Sequence, residues 1–203
     1  MPVFCLLIYQ LQAQTSFAKK LEAAVLLFDN CQTKEQYQTT FSQMEQLYKQ
    51  DPTAWLPPYY ASIIKARMAM KKMGNSDHLA DEAIHWLTIT KGIHNSDEVL
   101  CLESLVYTSK MSVNPTFRWK TYESKIKLPL EQAMVLNKNN PRPFILIANL
   151  QYKIPVIFGG GCNSAKPYAQ KAKAILDQQK TDFTVMPHWG RPIFAELVKA
   201  CPL

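Results

Sequence analysis

The chain has 203 residues, 47% of them hydrophobic and 19% charged, a balance that supports one sizeable buried core and excludes a disordered or collagen-like chain. Five cysteines are too few for a disulfide scaffold of this length, and no stretch approaches the ~20 apolar residues of a membrane-spanning helix. The 23 Lys and Arg against 16 Asp and Glu give a net charge of +7. The basic residues are dispersed and belong to no nucleic-acid module, so they read as a solvated surface with no nucleic-acid partner.

The first thirteen residues, MPVFCLLIYQLQA, carry no charge, and Lys19 is the first charged side chain. An apolar run over Pro2–Tyr9 followed by a short polar stretch ending in Ala13 reads as a secretory signal peptide. An amphipathic first helix is the competing reading. The expected organisation is a signal peptide over residues 1–13 and one helical domain over residues 14–203, placed in the periplasm or secreted. Four cysteines then remain: Cys31, Cys101, Cys162 and Cys201. An even count in an oxidising compartment permits disulfides. With no CxxC spacing, the four read as small buried hydrophobes.

From there the pattern is helical throughout. Phe17, Leu21, Ala24, Val25 and Phe28 form one apolar stripe at helical spacing. Thr33 with Gln36 has the form of a capping box, opening a helix with Tyr37, Phe41, Met44 and Leu47 on one face. Pro57 and Pro58 suit the first turn of a third helix. Asn75–Ser76 caps a fourth and Ser96 a fifth, with Asp97 and Glu98 well placed at its positive end. Asn114–Pro115 starts a sixth, which Pro129 is expected to kink or break. Asn140–Pro141 opens a seventh. Ile154–Cys162 (IPVIFGGGC) reads as a loop, after which Asn163 or Ser164 caps an eighth helix. A ninth begins near Gly190. No segment alternates with the period of a strand.

No chemical signature emerges from these elements. The FGGGC segment lacks the lysine and hydroxyl of a phosphate loop and reads as a turn using glycine's conformational freedom. His78 and His85 share a helix face with Asp81 and Glu82 between them, a weak metal pattern. No Ser-His-Asp, Cys-His or paired-carboxylate arrangement is present. The expectation is a chain with no catalytic residues, no metal and no cofactor. His188, in PHWG, is expected in a turn that packs Trp189 over the last hairpin.

The helices come in pairs with internal self-similarity. Asp51–Ala61 parallels Asn140–Leu150, and the four-and-three spacing of Ala80, Ile84 and Leu87 recurs at Ala165, Ala169 and Ala172, at Tyr37, Phe41 and Met44, and at Ile126, Leu130 and Ala133. On these residues, with Trp55 and Phe144 at the aromatic position and Ala148 at the small one, the chain resembles the tetratricopeptide-repeat superfamily in a degenerate, secreted bacterial form. Pro58 and Tyr59 depart from its preferences. The resemblance implies an all-α solenoid: four hairpins over residues 16–50, 53–91, 96–137 and 141–178, closed by a capping helix near 190–200. It also implies a groove lined by the first helix of each hairpin, carried here by Tyr60, Tyr107, Asn149, Tyr152 and Lys153. The function so implied is a non-enzymatic scaffold for a protein or peptide partner in the cell envelope. The alternative is a small-ligand-binding component of an envelope solute-uptake system, as secreted relatives of this repeat type are.

Overall fold

A computed structural model describes the backbone of residues 2–179 and 184–203, with side chains from residue 14 onward. Its helices are α1 (Pro2–Asp29), α2 (Lys34–Gln50), α3 (Leu56–Met70), α4 (Ser76–Ile93), α5 (Asp97–Ser112), α6 (Pro115–Leu136), α7 (Arg142–Lys153), α8 (Cys162–Leu176) and α9 (Arg191–Ala200). No strand occurs among the described residues. The side chains of the leader expected over residues 1–13 lie outside the described residues, and the backbone of residues 2–13 continues into α1.

Local chemistry sets most of the helix ends. At α2 the capping box is complete: Gln36 N–H donates to Thr33 Oγ1 at 3.3 Å and Thr33 N–H donates to Gln36 Oε1 at 3.0 Å. Asn75 caps α4 and Ser96 caps α5 through their side-chain oxygens. Prolines occupy the first turn of α3, α6 and α7, where a missing N–H costs nothing. Of the two outcomes expected at Pro129, the break does not occur: α6 runs through it, Ile126, Pro129, Leu130 and Ala133 form its buried face, and packing along α5 holds it across the lost hydrogen bond. At α8 neither Asn163 nor Ser164 caps the helix, which starts at Cys162 behind Gly161.

The hairpins are α1–α2, α3–α4, α5–α6 and α7–α8. In α5–α6 and α7–α8, small or medium residues at four-and-three spacing let the helices approach. Ala165, Ala169 and Ala172 are all buried, as are Ile126, Leu130 and Ala133. Each second helix packs on its partner and on the next hairpin's first helix, while α1, α3, α5 and α7 also touch in succession. The first helices therefore form a continuous inner layer, and one apolar core runs from Leu21 to Trp189. The expected solenoid of four hairpins is present. So is its cap: Leu197 of α9 is buried with Ala148 and Ala169, and Ile193 and Phe194 pack on Ile145, Ala172 and Leu176.

Before reaching α9 the chain crosses back over the inner layer. Within this strap, residues 184–190, Val185 O accepts from Tyr60 Oη at 2.9 Å and Trp189 Nε1 donates to Tyr59 Oη at 2.6 Å. His188 Nε2 lies 2.8 Å from Asp29 Oδ2. Trp189 is thus buried between α3, through Tyr59, and the start of the last hairpin, where the Arg142 guanidinium lies 5.9 Å from its ring. Below it Arg142 donates to Glu98 from both Nε and Nη2, and Asn140 Nδ2 donates to Glu98 Oε1 at 2.8 Å. Burial pushes the Glu98 carboxyl up, against the pull of the Arg142 guanidinium.

Candidate functional site: the α7–α8 loop and its cleft

The segment between α7 and α8 is a rigid turn. After Lys153 the chain extends at Ile154, and Pro155 leads into a single 3₁₀ turn, Val156–Phe158. The turn is closed by Gly159 N–H donating to Val156 O at 2.9 Å and Gly160 N–H donating to Pro155 O at 3.2 Å. Gly161 N–H donates to Gln151 O at 2.9 Å, which ties the loop back to α7. Ser164 Oγ donates to Gly159 O at 2.7 Å, which ties it to α8. Gly159 and Gly161 have φ of +82° and +89°, a region open to glycine and costly for other residues. A Cβ at Gly160 would collide with the Ile154 carbonyl. The glycines serve close approach, as the sequence suggests.

A disulfide joins Cys162, the first residue of α8, to Cys201 just beyond α9. The expectation that all four cysteines are simple buried hydrophobes holds for Cys31 and Cys101, which are free and buried, and fails for this pair. The cap brings the two positions together across 39 residues of sequence, a proximity that spacing alone does not reveal.

The turn presents three large apolar side chains outward: Val156, Ile157 and Phe158 are 76%, 85% and 75% exposed. At its base is an open cleft of about 630 Å³ lined by Tyr152, Lys153, Ile154, Pro155, Val156, Cys162 and Asn163 among others. Its chemistry is an apolar wall, one aromatic face and one ammonium group.

The five groove residues expected from the sequence separate here. Tyr152 and Lys153 line the cleft. Asn149 is half-buried one helical turn before Tyr152. Tyr107, on α5, belongs to a second surface: its ring centroid lies 6.0 Å from that of Tyr122, with Lys125 Nζ 5.2 Å from the Tyr107 ring. Tyr60 is corrected outright. It has no exposed surface, because the strap lies on it and Phe28 packs edge-on at 5.2 Å. It is a core residue and offers nothing to a partner in an open groove.

The histidines do not assemble. His78 is 3.8 Å from Glu82, His85 packs edge-on to Trp86 at 5.8 Å, and His94 stacks on Trp55 at 4.4 Å. No group of three or more His, Cys, Asp and Glu among the described residues could hold a metal ion. The exposed tip is the feature that sequence reasoning misses. Its one signal is the apolar run directly before three glycines, which by pattern alone reads only as a loop.

No protein-family model matches the chain, and no curated protein matches it either. Among solved structures the chain is similar to the HusA haemophore from Porphyromonas gingivalis, at 26% sequence identity over 92% of each chain with a TM-score of 0.81. That protein is a haemophore by its description, and the similarity extends over most of the helical stack.

Proposed function

We propose that this chain is a non-catalytic carrier of a small, largely apolar ligand of the tetrapyrrole class, acting outside the cytoplasm on a tetratricopeptide-like scaffold. The observation that carries the reading is the similarity to a haemophore across 92% of both chains. The cleft at the α7–α8 turn supports it. A volume of about 630 Å³ suits a small ligand, the Tyr152 ring offers a face for stacking, and Lys153 offers an ammonium for a carboxylate. The Cys162–Cys201 disulfide suits an oxidising compartment. Burial of Tyr60 removes one of the contacts on which a peptide-groove reading rests, and so favours the small ligand over a protein partner.

The test is a titration of the purified, oxidised chain with hemin and with iron-free protoporphyrin, followed by visible absorbance and Trp fluorescence. Saturable binding of both is expected, because the cleft recognises the ring and its carboxylates. Lys153→Glu should weaken both alike. Absence of any saturable change would overturn the reading.

A further inference from the structure

Nothing among the described residues covers the Val156–Phe158 tip, and the tip cannot fold its side chains away. Backbone hydrogen bonds, a disulfide at the first residue of α8 and a glycine with no room for a Cβ hold it out. Single exposed apolar residues are ordinary on a protein surface, but contiguous ones mark contact sites. This tip protrudes, so it fits a yielding phase better than a pocket.

The sequence on either side of it is one-sided in charge. From Gln132 to Leu176 the sequence has six basic residues and no Asp or Glu. Arg142 is engaged by Glu98, and Lys173 by Asp177. Lys153 and Lys166, on either side of the loop, have no ion-pair partner among the described residues. We infer that the Val156–Phe158 tip is a wedge that docks the protein reversibly on an anionic lipid surface, with Lys153 and Lys166 at the level of the headgroups. Apolar side chains entering the boundary of the acyl region supply affinity, and the two ammonium groups with the overall charge of +7 supply the preference for anionic lipid. No helix among the described residues is long and apolar enough to cross a membrane, so the attachment is peripheral. This inference stands apart from the identity of the ligand and needs none bound.

Flotation with vesicles tests it, using the full oxidised chain without added ligand. The protein should float with vesicles of phosphatidylcholine containing phosphatidylglycerol, and about tenfold less with phosphatidylcholine alone. Raising the salt should release it. The triple variant V156S/I157S/F158S should lose binding at least tenfold with its melting temperature little changed, since these side chains are 76%, 85% and 75% exposed. K153Q/K166Q should bind anionic vesicles more weakly and lose most of the salt dependence. Wild-type protein that stays out of the vesicle layer would overturn the inference, as would a triple variant that floats as well as the wild type. Loss of hemin binding in the triple variant, with no flotation by the wild type, would overturn it too and assign the tip to the ligand cleft instead.

Discussion

His188 and Asp29 are 159 residues apart in sequence, yet the imidazole Nε2 and the carboxylate Oδ2 lie 2.8 Å apart. The other ring nitrogen of His188 is 2.8 Å from the Met186 carbonyl. Both neighbours are acceptors, so the geometry selects the doubly protonated ring. The hydrogen bond to Asp29 and, behind it, the Met186 carbonyl hold the imidazole above its ordinary value, against desolvation and the Arg142 charge. The pair pins the strap to the end of α1.

A raised folded-state value gives the sign of the pH dependence. The contribution of His188 to stability is complete below the unfolded value near 6.5 and is lost as pH rises through the higher folded value. Thermal melts between pH 5 and 9 should show this component falling as pH rises beyond 6.5. Asp29→Asn or His188→Gln should remove that component while leaving the helical signal intact. A wild-type profile indistinguishable from that of Asp29→Asn would contradict the pairing.

Trp189 is the strap's anchor. It is buried, its indole N–H is held by Tyr59 Oη at 2.6 Å, and the Arg142 guanidinium lies 5.9 Å from its ring. Trp189→Ala should cost about 3–5 kcal/mol in urea denaturation, the range for truncating a large buried aromatic. Tyr60→Phe removes only the hydroxyl that donates to Val185 O and should cost about 1 kcal/mol. Similar losses for the two would mean that the strap contributes little to the core.

What is legible in the sequence follows from how local each signal is. Thr33 with Gln36, Asn75, Ser96 and the first-turn prolines act within one turn of helix, so the helix starts and the hairpin pairing can be read directly. The four-and-three spacing marks the buried faces, because packing of adjacent helices depends on residues one turn apart. Tyr60, Trp189 and the Cys162–Cys201 bond cannot be read this way. Each depends on the strap and the cap returning to earlier helices, and no periodicity encodes that return. Pro129 shows the same override in reverse, since packing against α5 outweighs a local helix-breaking preference. The cleft is not legible: Tyr152 and Lys153 are expected only in a groove that the repeat resemblance implies, and the tip beside them depends on a turn whose three glycines fix its exit angle.

Two glycines make a matched pair for the α7–α8 turn. Gly160→Ala places a methyl group in the Ile154 carbonyl, so the turn must deform, at a cost of roughly 1–3 kcal/mol for a strained backbone. Gly92 lies in the last turn of α4, with nothing beyond its chain neighbours and its own helix backbone within 4 Å of the place a methyl group would take. Gly92→Ala should stabilise the chain by about 0.5–1 kcal/mol, the helix preference of Ala over Gly. Chemical denaturation of both variants should give opposite signs. If Gly160→Ala were neutral, the close approach at Ile154 would be wrong.

The disulfide closes the cap onto the last hairpin. Cys162 and Cys201 are 39 residues apart in sequence, and cross-linking a loop of that size lowers the entropy of the unfolded chain enough to stabilise the fold by up to about 4 kcal/mol. Within that loop α9 covers α7 and α8 through Leu197, Ile193 and Phe194. Reduction with dithiothreitol, or the double variant C162S/C201S, should therefore lower the melting temperature by several degrees and raise hydrogen exchange first in α9 and at the start of α8. Helices α3 to α5 are held by the continuous core and should exchange as before at temperatures below the melt. The free cysteines Cys31 and Cys101 are buried, and burial pushes both thiols up, so among the described cysteines a thiol reagent should label the reduced protein at the half-buried Cys162 first. Equal protection in the oxidised and reduced states would show that apolar packing alone, and not the bond, keeps the cap in place.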